Sequence, residues 1–130
     1  MNETPPPARL RFSLRRHRMG PKDFARVYRE GSRARGSLMT VALCTNGLGH
    51  TRLGLSVGKR CWKSAVKRNR VRRVFREAFR LSLPELPSGL DVVLIASTPQ
   101  LKPTLEPTRR ELVKMVRKAH RRFLEKREQG

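Results

Sequence analysis

The clearest hydrophobic pattern in this chain lies in "SAVKRNRVRRVFREAFR", where Val71, Val74, Phe75, Ala78 and Phe79 recur at i, i+3, i+4, i+7 and i+8. At about 100° per residue these side chains fall within about 140° of one another, the width of one buried helical face. The spacing predicts an amphipathic helix. Ahead of it, "GPKDFARVYREG" predicts a short helix, with Pro21 at a first helical position, Gly31 at the C-terminal cap and Phe24, Val27 and Tyr28 on one side. Downstream, Thr108 to about Glu128 predicts a closing helix. A capping box over Thr108-Arg109-Arg110-Glu111 would open it, and Leu112, Met115, Val116, Ala119, Phe123 and Leu124 would form its stripe.

Three other stretches carry strand patterns. In "SLMTVALCTN", Met39, Val41 and Leu43 alternate with Leu38, Thr40 and Ala42, and the run ends at Asn46-Gly47, a turn signal that predicts a strand entering a hairpin. "TRLGLSVGKR" completes that pair: Leu53, Leu55 and Val57 form a core face, while Arg52, Gly54 and Ser56 form a small, polar face that a ligand could approach. After the breakers Pro84, Pro87 and Gly89 comes "LDVVLIAS", which does not alternate and so predicts a strand covered on both faces. A further short strand is allowed near Arg11 to Leu14. Residues 1–8, with three consecutive prolines, predict a disordered or extended tail, and 9–130 a single domain. The predicted class is α+β, a small mixed sheet of three to four strands packed with three helices.

Charge changes what this domain is for. The chain holds 31 Lys plus Arg against 10 Asp plus Glu, a net charge of +21, and Arg outnumbers Lys. Such a balance points to nucleic acid, because the flat guanidinium fork matches phosphate oxygens two at a time. The basic residues fall about a third before Gly36, a third between Lys59 and Arg80 and a third after Gln100. Folding would bring three basic segments to one surface. The longest apolar run, Val92 to Ala96, is of strand length, so no membrane span is predicted. "MNETPPPARL" lacks the apolar region of a secretory signal, so the expected location is the cytoplasm.

The densest charge lies on the central helix, where Lys67 to Arg80 contains seven Lys or Arg in fourteen positions. Asn69, Arg73, Arg76 and Arg80 project together away from the apolar stripe, with Arg70 and Arg72 on the flanks. Lys67 and Arg68 reach outward past the stripe's first turn. Like charges at i, i+3 and i+4 destabilise a helix by a few tenths of a kcal/mol per pair. Arg68 with Arg72, Arg72 with Arg76, Arg73 with Arg76, and Arg76 with Arg80 all repel. A face that works against its own helix implies an anionic partner.

Hydrolysis by the chain itself would need clustered carboxylates for a divalent cation, or histidines placed as acid and base. The ten acids are scattered, and His17, His50 and His120 lie in separate segments. Cys44 and Cys61 encode neither a zinc knuckle nor a disulfide framework. Composition leaves two RNA-binding readings open: a subunit of a processing enzyme, and a structural ribosomal or other RNA-binding protein with no role in cleavage. A major-groove DNA reader is a third, disfavoured because no helix-turn-helix pair is encoded.

"RLGLSVGKRCWKSAVKRNRVRRVFREAFR", centred on Arg68-Asn69-Arg70, resembles the signature of the protein subunit of bacterial ribonuclease P. "KDFARVYREG" before it and "LDVVLIAS" after it also resemble that family, and the likeness covers roughly Arg15 to Arg122. The chain departs in carrying "CWKS" where many relatives have a Gly shortly before the helix starts. The resemblance implies a non-catalytic protein subunit of an endoribonuclease that removes the 5′ leader of precursor tRNA. The active site would lie in the RNA subunit with its Mg²⁺, and the protein alone would bind no cofactor. It implies as partners the catalytic RNA and precursor tRNA, and no protein partner. Lys59, Arg60, Lys67, Arg68, Asn69, Arg70, Arg72, Arg73, Arg76 and Arg80 would meet the RNA, and Phe24, Tyr28 and Ser56 would line a leader-binding cleft. Aromatic faces suit single-stranded bases, although Phe24 and Tyr28 also suit core packing. Trp62 could stack on a base or cover the core. The resemblance further implies a left-handed strand-helix-strand crossover where general handedness rules favour the right-handed form.

Overall fold

The structure, a computed structural model, describes residues 18–58, 63–96 and 102–129. The proline-rich tail, the strand expected near Arg11 to Leu14, and Lys59, Arg60, Cys61 and Trp62 lie outside the described residues. The elements run α1 (Pro21–Glu30), β1 (Ser32–Arg35), β2 (Thr40–Thr45), β3 (Arg52–Ser56), α2 (Ala65–Ser82), a 3-10 turn (Leu83–Glu85), β4 (Leu90–Ile95) and α3 (Leu105–Gln129). One four-stranded mixed sheet in the order β1-β2-β4-β3 forms the middle layer. Among the described residues the chain adopts the predicted α+β class, with three helices on a small mixed sheet. Among the described residues no helix is long and apolar enough to cross a membrane.

β4 takes the centre because, Asp91 apart, its side chains are apolar in both directions. Leu90 to Leu94 are all buried, and the strand pairs antiparallel with β2 and parallel with β3. That placement overturns the expected hairpin between β2 and β3, which are not neighbours. A strand apolar on both faces requires neighbours and cover on both sides, whereas β3, with Arg52, Gly54 and Ser56, is suited to an edge. The Asn46-Gly47 turn does form, with Asn46 Oδ1 accepting from Leu48 N at 2.7 Å, but it carries the chain past β4. The actual hairpin comes one step earlier, between β1 and β2, in the register Ser32↔Leu43 to Arg35↔Thr40. Between β3 and β4, helix α2 makes the parallel strand-helix-strand connection.

Alternation along the paired strands gives the sheet two distinct faces. Val41, Leu43, Leu53, Leu90, Val92 and Leu94 face α2 and α3, where Phe75, Phe79, Leu112 and Val116 complete a dry core. α2 buries Val71, Phe75, Ala78 and Phe79 of the predicted stripe and leaves Val74 half-buried, and Ser64 Oγ caps it by accepting from Lys67 N at 3.4 Å. α1 lies on the opposite face, beginning at Pro21 and closed by Gly31, whose N–H bonds Val27 O at 2.9 Å.

α3 departs from expectation at both ends. It begins at Leu105, a turn before the predicted capping box, and Thr108 lies inside it with Oγ donating to Thr104 O at 2.6 Å. Thr108 N already bonds Thr104 O at 3.2 Å, so Glu111 has no cap to complete. Its carboxylate instead accepts from Ser37 N, Ser37 Oγ, Leu38 N and Met39 N at 2.7–3.0 Å, holding the β1–β2 turn to the helix. Gly36 is required by this approach, since a Cβ there would sit 2.6 Å from the Glu111 carboxyl carbon. At the other end Leu124, predicted to join the stripe, is exposed. A 25-residue helix is about 37 Å long, and it outlasts strands of about 20 Å.

Glu111→Ala leaves three backbone N–H groups of the turn without their acceptor. We expect it to lower the unfolding free energy by about 2 kcal/mol, whereas the neighbouring exposed Arg110→Ala stays within about 0.5 kcal/mol. Urea denaturation of both variants decides, and equal midpoints would show that the turn does not need this carboxylate.

Candidate nucleic-acid interface

The outer face of α2 contains two kinds of cation. Arg68, Arg72 and Arg80 are pinned by their surroundings. Arg68 Nη1 donates to Lys63 O at 3.0 Å, and Arg72 donates to Asn69 Oδ1 at 3.1 Å and to Val57 O at 3.3 Å. Arg80 makes a two-pronged pair with Glu77, one prong at 3.2 Å, and this bonding holds the Glu77 carboxyl below the usual carboxylate range. Arg70, Arg73 and Arg76 have no ion-pair or side-chain hydrogen-bond partner among the described residues, and Lys67, Asn69, Arg70 and Arg73 are exposed. The structure therefore brings Lys67 through Arg80 onto one surface but neutralises Arg80. Arg70, Arg73 and Arg76 are left facing outward.

The register of the sheet builds a second feature, on the α1 side. Ser56, Ile95, Thr40 and Arg35 form one row across all four strands, and Gly54, Val93, Ala42 and Arg33 form the next. α1 covers part of the second row. A Cβ at Gly54 would lie 2.6 Å from Phe24 Cζ, so this glycine lets the aromatic ring reach the sheet. Tyr28 stands farther out, 39% exposed, its ring centroid 6.3 Å from that of Phe24 and its face 5.2 Å from the Arg33 guanidinium. The row from Ser56 to Arg35 is half-buried to exposed, so it forms the floor of a groove that α1, through Phe24 and Tyr28, bounds on one side. Phe24 packs against the core, and Tyr28 is exposed.

A family model described as Ribonuclease P matches residues 14–120. The chain belongs to the bacterial ribonuclease P protein family. The ribonuclease P protein component of a Pseudanabaena species is 36% identical over 99 residues, spanning 75% of this chain and 85% of that one. The relative from Photobacterium profundum is 35% identical over 115 residues, spanning 88% and 93%. The solved ribonuclease P protein of Thermotoga maritima superposes with a TM-score of 0.67 at 27% identity, covering 83% of this chain and 96% of that one.

What fixes the cleft in this ribonuclease P family member is a buried charge network that sequence reasoning missed. Asp91, fully buried on β4, accepts from Arg52 Nε and Nη2 at 2.8 and 2.7 Å, from Asn46 Nδ2 at 3.0 Å, and from Arg26 of α1. Arg52 also reaches Asp23 of α1 at 3.0 Å. The network thus ties α1 to two strands. Its one signal in the sequence is Asp91 itself, the sole charge in the "LDVVLIAS" run. Arg33, over Tyr28, was also missed, because β1 reads as loop. Among the described residues no group of three or more His, Cys, Asp or Glu side chains could hold a metal ion. The one described cysteine, Cys44, is buried beside Arg26 and Asp91, and burial pushes its thiol up.

The Gly20 N–H, at 2.8 Å, and the Arg52 guanidinium hold the Asp23 carboxyl below the usual carboxylate range. A depressed carboxylate stabilises the fold above its unfolded value of about 3.9 and loses that contribution as pH falls through the lower folded value. The expected result is that the acid limb of stability, below about pH 4, is shallower in Asp23→Asn than in the parent. Urea midpoints measured across that range test it, and parallel curves would remove Asp23 from the acid response.

Proposed function

We propose that this chain works as the protein subunit of ribonuclease P, with the cleavage of precursor tRNA carried out by the RNA subunit and its Mg²⁺. The observation that supports it best is the pairing of a cationic helix face with an aromatic-walled cleft on the other side of the same sheet. α2, through Lys67, Arg68, Asn69, Arg70, Arg72, Arg73 and Arg76, docks on the catalytic RNA. Guanidinium groups there replace condensed counterions on phosphates, which lowers the Mg²⁺ and salt the RNA needs to stay folded and bind substrate. Lys59 and Arg60, which lie outside the described residues, also meet the RNA in this reading.

The cleft takes the 5′ leader. Tyr28 offers a ring face to a base, Phe24 backs it, and Ser56 lies on the floor with a hydroxyl for the sugar-phosphate chain. Such contacts accept any base, because every base has a π-face. An enzyme that processes many precursors needs this tolerance. The ribosomal or other structural reading has no observation in its favour beyond the shared basic composition.

The expected outcome is a division of labour. Arg70→Ala and Arg73→Ala weaken binding of the catalytic RNA and flatten its salt dependence by about 0.9 in log–log slope each. Tyr28→Ala weakens binding of leader-bearing precursor tRNA by about 1–3 kcal/mol and leaves mature tRNA unchanged. Filter binding of reconstituted holoenzymes to both tRNA forms measures this, and equal losses on the two forms would refute the leader assignment.

A further inference from the structure

The α1-side cleft has two ends that differ. At the Ser56 end, Arg72 of α2 bonds Val57 O at 3.3 Å, so the cationic helix stands beside this end of the floor. At the other end the floor stops at Arg35, on the edge strand β1. Just beyond, between the β1–β2 turn and the N-terminal half of α3, lies an open cleft of about 600 Å³ lined by Arg35, Ser37, Arg110, Glu111, Lys114 and Lys118. Arg35 therefore belongs to both clefts.

The second cleft is built for an anion. Arg110, Lys114 and Lys118 follow one another at i, i+4 and i+8, with a rise of about 6 Å between successive cations, comparable to the repeat of phosphates along one strand. Like the arginines of α2, they repel one another along their helix. None of the four cations has a side-chain hydrogen-bond or ion-pair partner among the described residues. The one acid in the cleft, Glu111, is met by three backbone N–H groups and the Ser37 hydroxyl. These bonds also fix the turn that carries Arg35 against α3.

We propose that this cleft is a second single-stranded RNA site, which holds the phosphodiester backbone of the upstream part of the 5′ leader. The inference rests on reading the α1-side cleft as the leader site. With the catalytic RNA docked along α2, the end of the leader nearest the cleavage point comes in beside Ser56. The chain crosses the floor over about 14 Å, the width of three strand spacings. Its upstream end then leaves at Arg35, where Arg110, Lys114 and Lys118 receive its phosphates. The contacts are to backbone and so are indifferent to leader sequence.

The test uses the reconstituted holoenzyme and precursor tRNAs with leaders of about 4 and about 12 nucleotides, spanning ordinary single-strand site sizes. The parent should bind the long-leader precursor several-fold more tightly. Arg110→Ala/Lys114→Ala/Lys118→Ala should lose most of that gain, with the log–log salt slope on the long leader falling by about 2, from three contacts at about 0.7 each. Its affinity for the short-leader precursor and for the catalytic RNA should not change. Arg110→Gln and Lys118→Gln singly should each give part of the loss, which keeps the test open if the triple variant folds poorly. If these variants match the parent on long leaders while Tyr28→Ala weakens both lengths, the second site is overturned and the leader cleft stands. If Tyr28→Ala changes neither length, the leader reading itself falls. A loss confined to catalytic RNA binding, equal for both leaders, assigns the cleft to that RNA and overturns the proposal.

Discussion

Asp91 is the constraint around which the rest is arranged. Its carboxylate is buried in the central strand, where an unpaired charge would cost several kcal/mol, and two arginines and an asparagine converge on it. Arg26 comes from α1, Arg52 from β3 and Asn46 from the turn after β2, so one group fixes the positions of three segments. A buried ion pair contributes little net stability against an apolar core, but its geometry tolerates few alternatives. α1 is short and has Val27 as its only fully buried side chain, so packing alone would leave it free to slide. The network sets where it stops, and with it the distance from Tyr28 to the sheet.

Six acids of this chain organise donors inside the protein. Asp23, Glu77, Glu85, Asp91 and Glu106 each face an arginine, and Glu111 faces backbone donors. In each case the carboxylate orients a guanidinium or a turn inside the protein. Exposed basic groups remain on α1, β1, α2 and α3.

Much of this was legible in the chain. α1, α2 and β4 could be read because their signals are local: a Pro and Gly bracketing a short periodic run, an apolar stripe beside an arginine face, and an apolar run without alternation. The α2 surface was readable for the same reason, since its residues are neighbours on one helix. What could not be read was set by distant partners. β1 has one buried side chain, Ala34, and is a strand only because β2 lies beside it. The Asn46-Gly47 signal is genuine, yet β4, from nearly fifty residues later, takes the place a hairpin would have given β3. Thr108 and Glu111 matched a capping motif, but the backbone N–H groups of a turn more than seventy residues away drew the carboxylate across. The cleft floor required the register of four strands, which no local pattern encodes.

β1 has a consequence for the behaviour of the protein in concentrated solution. Among the described residues it is an outer strand, with one backbone acceptor, Arg33 O, taken by Arg122 Nη1 at 2.8 Å, and such an edge is one on which a second copy could add its own strand and begin a growing sheet. Arg33 and Arg35 are exposed along it, and the sharp, glycine-bearing turn at Gly36 ends it after four residues. A copy approaching that edge would bring its own Arg33 and Arg35 against these two. The charges on this edge thus also keep the protein from aggregating with itself.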